Sequence, residues 1–451
     1  MTSDTIFAPA TAAGRAGVAV IRISGPKAAK ALDRLSVPPP PPRVLTRAVL
    51  RAPGQDEVLD DALVAWFPGP RSFTGEDVAE LHVHGGRAVL DSVLGALNAI
   101  GGLRPAEPGE FTRRAFEAGK LDLTQAEALA DLVDAETRAQ ARQALRQMGG
   151  ALKTLYSEWR DRLIKSLAHL EAVIDFPDED LPEETAAELW REVEALERDI
   201  ATHLADGGRG ERLRDGVHVA IVGPPNAGKS SLLNLLAKRD AAIVSDTAGT
   251  TRDVIEVHLD LDGYPVLVAD TAGLRDTSDA IESEGVKRAT QRAVDADLVV
   301  ALFDGAVYPE RDTVTREVIT AVEEGVVLVA VNKADLLDQA REQELDVADA
   351  WRSTHFISVQ DGFGIELLLT KLTQKVAALC EIGTSAPLTR ARHRRALEDC
   401  TAALARARQA DLPELAAEDL RLAARALGRI TGHVDVEDLL DVVFSDFCIG
   451  K

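Results

Sequence analysis

Three short polar motifs each close an apolar run, and their order constrains the fold more than any other property of this 451-residue chain. Val217-His218-Val219-Ala220-Ile221-Val222 runs into Gly223-Pro224-Pro225-Asn226-Ala227-Gly228-Lys229-Ser230, and Ser231-Leu232-Leu233-Asn234-Leu235-Leu236 continues with helical character. Val266-Leu267-Val268-Ala269 ends in Asp270-Thr271-Ala272-Gly273, and Val326-Val327-Leu328-Val329-Ala330-Val331 ends in Asn332-Lys333-Ala334-Asp335. Short apolar runs alternating with helical stretches are the strands of a parallel sheet covered on both faces. The spacing predicts a doubly wound, mostly parallel sheet over 216–377, with strands near 217–222, 254–260, 264–269, 297–303, 326–331 and 355–359. In such sheets ligands bind at the carboxyl ends of the strands, where these motifs fall.

The motifs share one chemistry. Gly-x-x-x-x-Gly-Lys-Ser between a strand and a helix is a phosphate loop whose backbone N–H groups, Asn226 through Ser231, cradle an anion. Lys229 is placed to reach the β- and γ-phosphates and the Ser230 hydroxyl to ligate Mg²⁺. Asp270 to Gly273 is the Asp-x-x-Gly that senses the metal and the γ-phosphate. Between them lies Gly249-Thr250-Thr251-Arg252-Asp253, in which Thr251 is the second Mg²⁺ ligand. Asp335 can accept two hydrogen bonds from guanine N1–H and its 2-amino group, which adenine cannot offer, and a mismatched base would leave that carboxylate unpaired. Four elements in this order predict a guanine-nucleotide-binding domain.

Length allows two or three domains. Residues 1–118 mix β-like runs, such as Gly17 to Ile23, with Gly/Pro turns and one helical stretch near 86–100; 119–212 and 380–451 are helical in style. The acidic segment Asp175 to Pro182 reads as a turn and Gly207-Gly208-Arg209-Gly210 as a flexible joint. Matching helical segments on either side of 216–377 predict an α/β domain inserted into a helical one. A net charge of −23 disfavours a sequence-independent nucleic-acid binder. The cationic run Leu388 to Arg395 and the spaced Arg138, Arg142 and Arg146 read first as solvated helix faces. Three scattered cysteines give no disulfide or zinc pattern, and no long apolar run or signal peptide is present. The expectation is a cytoplasmic protein without a membrane span. Cys448, fourth from the end, fits a prenylation box poorly, with Gly and a final Lys following.

Beyond these motifs the chain resembles the MnmE (TrmE) family of tRNA-modification GTPases over nearly its whole length. The likeness rests on Asp4-Thr5-Ile6, Gly14-Arg15, Arg22-Ile23-Ser24-Gly25, Ser72 to Asp77, His84-Gly85-Gly86, Pro108 to Thr112, Lys120 to Leu123, Asp175 to Glu179, and Phe447-Cys448-Ile449-Gly450-Lys451. The resemblance implies an N-terminal α+β folate-binding domain that dimerises, a helical domain, and an inserted Ras-like GTPase domain. It implies modification of C5 of wobble uridine 34 in tRNA with a carboxymethylaminomethyl or aminomethyl group, in a heterotetramer with the FAD protein MnmG. Arg22, Glu80, Lys120 and Lys451 carry over as contacts to 5-formyl- or 5,10-methylene-tetrahydrofolate, while the sequence leaves Cys448 open as either a chemically active or a structural residue. Carboxylates suit the N–H donors of a pterin edge, and cations suit a glutamate tail.

Leu274 follows Gly273 where Ras-like proteins carry the Gln that orients the attacking water, so another group must do that work. The family's answer is a K⁺ ion, carried over to Asn226, Ser245, Thr247 and Thr250, with Asp246, Ala248 and Gly249 in the same nucleotide-binding loop. Glu282 matches the family's water-orienting acid; on residues alone it reads as a helix-start carboxylate. Ser358-Val359-Gln360 departs from the family's Ser-Ala-Lys or Ser-Ala-Arg base loop. A backbone N–H at Val359 keeps the contact to guanine O6, while Gln360 lacks a cationic stem to lie over the base. The motifs also suit a ribosome-assembly GTPase or a non-catalytic GTP switch.

Overall fold

The computed structural model describes residues 4–175, 183–239, 242–243, 256–270, 290–307, 312–322, 326–337, 354–381, 386–434, 440, 443–444, 447 and 450, with residues 183–186, 256, 270 and 314 described in their backbone alone. Residues divide into two compact units: 1–130, 147–196 and 402–451 form one, and 131–146 with 197–401 the other.

The first unit is built on a six-stranded sheet of β1 (Thr5–Pro9), β2 (Ala16–Ser24), β3 (Thr46–Arg51), β4 (Val58–Phe67), β5 (Val78–Gly85) and β6 (Leu103–Pro105), in the order β3-β4-β5-β2-β1-β6. All neighbours are antiparallel except β1 and β6. Period-two alternation puts Ala19, Ile21 and Ile23 of β2 on the face covered by helices Ala28–Arg34 and Arg87–Asn98, whose Leu32, Val93 and Leu97 complete that core. Arg22 therefore faces the other way, toward the side where Ile6, Ala8, Phe73 and Phe111 pack. Two of this unit's helices, Ala28–Arg34 and Glu110–Glu117, lie where the sequence suggests only strands and turns. Both are short, so neither completes enough turns to display a helical period.

In the same unit, helix Ala151–Asp175 packs with Pro413–Thr431, joined by Arg421 to Glu171 at 2.9 Å. Proline at the first position, which needs no N–H there, starts Pro413–Thr431, and Gly432 at φ +86° ends it. Phe444 and Phe447 pack with Leu123, Ala126 and Leu440, so these two aromatics seat against the region that follows the first sheet. The acidic segment 176–182 lies outside the described residues.

The second unit holds β7 (Val217–Val222), β8 (Glu256–Leu261), β9 (Tyr264–Asp270), β10 (Leu298–Asp304), β11 (Val327–Asn332) and β12 (Thr354–Phe356), ordered β12-β11-β10-β7-β9-β8. Every pair is parallel except the β8–β9 hairpin. Leu298 to Phe303 are all buried, as a strand covered on both faces requires. β12 is shorter than its apolar pattern suggests, because Ile357 is the last residue whose backbone bonds that of β11, through its N–H to the Val331 carbonyl, before the chain turns.

Gly207 to Gly210 is a packed turn and not a joint. Gly208 at φ +74° caps helix Arg209–Asp215, and a Cβ on Gly210 would lie 2.0 Å from the Leu388 carbonyl oxygen. Arg394 ties this turn down, bonding Asp206 and Glu211 at 2.9 Å and the Leu204 carbonyl at 2.9 Å, while Arg390 reaches Asp131 at 2.7 Å. Those two arginines of the basic run therefore serve packing, not a solvated face. Among the described residues no helix is long and apolar enough to cross a membrane.

Candidate functional site

The phosphate loop leaves β7 at Gly223, where a Cβ would lie 2.2 Å from the Leu302 carbonyl oxygen of β10. It closes at Gly228, whose φ of +97° only glycine adopts readily and which caps helix Lys229–Ala237. Asn226 also sits in the left-handed region at φ 64°. Lys229 is buried, and its ammonium donates back to the Gly223 and Pro224 carbonyls at 2.8 and 2.9 Å. The ammonium thus lies inside the loop beside the helix N-terminus, where backbone N–H groups and a partial positive charge favour a phosphate. Ser230 and Ser231, both exposed, follow on the first helical turn.

Asn332, at the end of β11, joins three motifs. Its buried side-chain amide donates to the Ala227 carbonyl at 2.8 Å and accepts from the Val359 N–H at 3.1 Å. A Cβ on Gly228 would meet that same amide nitrogen at 2.2 Å. The phosphate loop, the Asn332–Asp335 motif and the Ser358–Gln360 loop are therefore one constellation, tied through a single amide. Lys333, at φ 65°, donates to Asp304 Oδ2 at 2.5 Å, and Asp335 is exposed in the turn Ala334–Leu336. Ser358 is buried, Val359 and Gln360 lie in the turn after it, and the Val359 N–H, expected at guanine O6, is donated to the Asn332 side chain instead. The Phe363 N–H, then Ser358, hold the Asp361 carboxyl below the usual carboxylate range and brace that turn. Asp304 escaped the motif reading even though it ends an apolar run, Leu298 to Phe303, as the three recognised motifs do.

Much of the γ-phosphate side falls outside the described residues: Ser245, Asp246, Thr247, Ala248, Gly249, Thr250, Thr251, Thr271, Ala272, Gly273 and Glu282. Asp270 ends β9, in register with Ile221 beside the phosphate loop.

A second constellation occupies the face of the first sheet opposite helices Ala28–Arg34 and Arg87–Asn98. Arg22 on β2 and Glu80 on β5 are cross-strand partners, and the guanidinium reaches Oε1 at 3.0 and 3.1 Å. The Arg22 guanidinium also stands over the rings of Phe73 at 5.4 Å and Phe111 at 5.7 Å. His82, two residues along β5, comes within 3.6 Å of the other Glu80 oxygen. Lys120 is exposed and its ammonium bonds the Pro70 carbonyl, with its side chain passing 3.5 Å from where a Gly75 Cβ would be. Cys448 and Lys451 lie outside the described residues. The neighbouring Gly450 does not: a Cβ there would fall 1.9 Å from the Pro9 carbonyl oxygen of β1. Gly450 therefore lies against β1 of the first sheet.

A charged network stiffens this region. Glu110 accepts from Arg104 at 2.6 and 2.8 Å, from Arg114 at 2.8 Å and from the Glu107 N–H at 2.9 Å. Arg114 reaches Glu76 at 3.1 Å, and Glu76 accepts from Ser24 at 2.7 Å. Burial alone would raise the Glu110 carboxyl, but the Arg104, Glu107 and Arg114 donors outweigh it and hold it below its ordinary value.

Comparison with known proteins matches residues 123–448 to a family model described as the MnmE helical domain and residues 5–120 to one described as the GTP-binding protein TrmE N-terminus. A tRNA modification GTPase MnmE of Rhodospirillum rubrum is 58% identical over 465 residues, covering 100% of both chains. A mitochondrial 5-taurinomethyluridine-[tRNA] synthase subunit of Danio rerio is 49% identical over 468 residues, covering 99% of this chain and 93% of that one. Among solved structures, an Aquifex aeolicus Era variant bound to GDP and AlF4⁻ is 21% identical and covers 44% of this chain and 69% of that chain, at a TM-score of 0.28.

Proposed function

The chain belongs to the MnmE family of tRNA modification GTPases, and on that premise we propose that it couples GTP hydrolysis to folate-dependent modification of the wobble uridine. It is a GTPase of tRNA modification. The observation that carries the nucleotide half is the double hydrogen bond of Asn332, which joins the phosphate loop to both base loops. GTP is then held by Asn226 to Ser231, Asn332, Lys333, Asp335 and Ser358 to Gln360 within one constellation. Lys229 turns from the Gly223 and Pro224 carbonyls to the phosphates, an exchange of neutral acceptors for charged ones.

The donor set around the phosphates suits hard cations. The Ser230 hydroxyl fits Mg²⁺, with Thr251 as second protein ligand, and Asn226 adds a neutral oxygen donor of the kind K⁺ takes, with Ser245, Thr247 and Thr250. A monovalent cation held by those residues would supply the positive charge that Leu274, and the absence of a recognisable arginine finger in the sequence, leave wanting. Glu282 orients the attacking water.

Arg22, Glu80, Lys120 and Lys451 hold the folate. The donors fit: a carboxylate for pterin N–H groups, a guanidinium flanked by Phe73 and Phe111 for a planar ring, and ammonium groups for a glutamate tail. Bound there, the folate supplies the one-carbon unit destined for C5 of uridine 34. Arg22 and Glu80, already paired, fix each other's orientation for that ligand. The protein works as a homodimer and, with the FAD protein MnmG, as a heterotetramer in the cytoplasm. We assign 1–118 to the folate domain, 119–212 and 380–451 to the helical domain, and 216–377 to the GTPase domain. The family-model matches, which break between 120 and 123, support the first of these boundaries.

The deciding experiment is nucleoside analysis of tRNA from cells lacking this chain. Loss of the C5 substituent at position 34 is expected, restored by the intact chain and not by an Arg22→Ala variant. Unaltered wobble uridine would reject the reading and favour a ribosome-assembly role.

A further inference from the structure

Asp304 and Gly305 lie against the Asn332–Lys333 motif without belonging to any of the nucleotide motifs. Asp304 ends β10 directly opposite Asn332 at the end of β11. Its two oxygens are divided: Oδ1 accepts from the Ala306 N–H at 3.0 Å, which aims Oδ2 at the Lys333 ammonium 2.5 Å away. The pair is sheltered, with the Asp304 side chain 15% exposed and that of Lys333 33%. Gly305 allows the approach. Its N–H donates to the Asn332 carbonyl at 2.7 Å, and a Cβ there would stand 2.7 Å from that oxygen and 3.1 Å from the Lys333 oxygen. Lys333 itself holds φ 65°, a conformation that persists in a non-glycine residue only where its surroundings impose it.

We propose that Asp304 is a positioning residue for guanine-nucleotide binding, acting through Lys333. With its ammonium tethered, Lys333 offers a fixed side chain next to Asn332 and Asp335. The ordering cost of a long cationic chain is then met on folding and does not weaken nucleotide binding. The charge-assisted bond also holds the left-handed turn from which the Ala334–Leu336 segment, and with it Asp335, begins. Asp304 touches no nucleotide in this scheme. The inference rests on the reading that Asn332 to Asp335 receives the base.

The test measures, on the full chain, Kd for a fluorescent GDP analogue and steady-state hydrolysis of GTP and of ITP, which lacks the 2-amino group. D304N is expected to raise Kd and the GTP KM together by about tenfold, the size of a charge-assisted hydrogen bond lost from one state. Saturating kcat should change much less, and the preference for GTP over ITP should persist because Asp335 remains. K333M should reproduce that loss, and the D304N/K333M double variant should bind no worse than K333M alone. A merely structural aspartate would lower the melting temperature without this non-additivity. If D304N does not fold, K333M carries the test, since it leaves Asp304 bonded to Ala306. Wild-type affinity in K333M, unchanged Kd in D304N, or additive losses in the double variant would overturn the proposal. Asp335→Asn separates the two readings: retained guanine preference there removes the base-site premise, whereas lost preference with additive D304N and K333M effects removes the role of Asp304 alone.

Discussion

Replacing Gly109 with alanine tests how the end of the chain is held against its beginning. Gly109 and Gly119 bracket helix Glu110–Glu117, and both have φ +67°. An alanine in that left-handed conformation costs about 1–2 kcal/mol at either position. Their surroundings differ. A Cβ at Gly119 meets nothing within 4 Å, whereas at Gly109 it lies 2.6 Å from the Phe444 carbonyl oxygen and 3.1 Å from the Cβ atoms of Phe444 and Phe447. The helix cannot simply retreat, because Glu110, its first residue, is held by Arg104, Arg114 and the Glu107 N–H. Nor can the aromatic pair slide easily, since the Phe444 and Phe447 rings lie 5.4 Å apart in a buried cluster with Leu123 and Ala126. Overpacking of this kind adds about 1–3 kcal/mol, so Gly109→Ala should lose about 2–5 kcal/mol where Gly119→Ala loses about 1–2. Hydrogen exchange reads the segment locally. Faster exchange of the Phe444 and Phe447 amides is expected in Gly109→Ala only, together with weaker 5-formyl-tetrahydrofolate binding if Lys451 closes that site. Equal destabilisation by the two substitutions, with protected Phe444 and Phe447 in both, would refute the packing argument.

Asp335→Asn should exchange guanine for xanthine preference and cost GTP at least tenfold in affinity, about 1.4 kcal/mol, in a competition assay; retained GTP selectivity would show that another group reads the base. GTP hydrolysis should be faster in K⁺ than in Na⁺, and Asn226→Ala should remove most of that difference while nucleotide still binds; equal rates in the two salts reject the cation mechanism. Acid should loosen the first unit through Glu110 and Asp4, both held below their ordinary values. Burial raises each, but their arginine partners outweigh it, so the stabilisation is complete above the unfolded carboxyl range near 4 and is lost as pH falls through the lower folded values. Burial pushes the Asp122 carboxyl up, and it works in the opposite direction. Glu110→Gln should flatten the pH dependence of urea unfolding below pH 5, and an unchanged slope would contradict it.

How much of this was legible beforehand depends on where each residue's partner lies along the chain. The phosphate loop and the Asn332–Asp335 motif could be read because each is a contiguous run at a strand's end, and parallel crossovers bring such ends to one edge of the sheet. The role of Asn332 was less legible. Its partners, Ala227 and Val359, lie 105 and 27 residues away, and only the strand order sets them together. The first sheet shows the same limit. The resemblance points to Arg22 and Glu80, but their pairing follows from the β2–β5 register; Phe73 and Phe111 fall within family-like motifs that assign them no place beside Arg22, and His82 carries no local signal. Gly207 to Gly210 misled because glycine has two uses. In a loop it gives freedom; against a backbone, as at Leu388, it makes room. Arginine misled similarly, since the run from Leu388 to Arg395 turns Arg390 and Arg394 onto Asp131, Asp206 and Glu211 from distant segments. Local patterning thus locates the strand ends where chemistry gathers. What those ends accomplish depends on groups such as Asp304, whose meaning appears only once β10 lies beside β11.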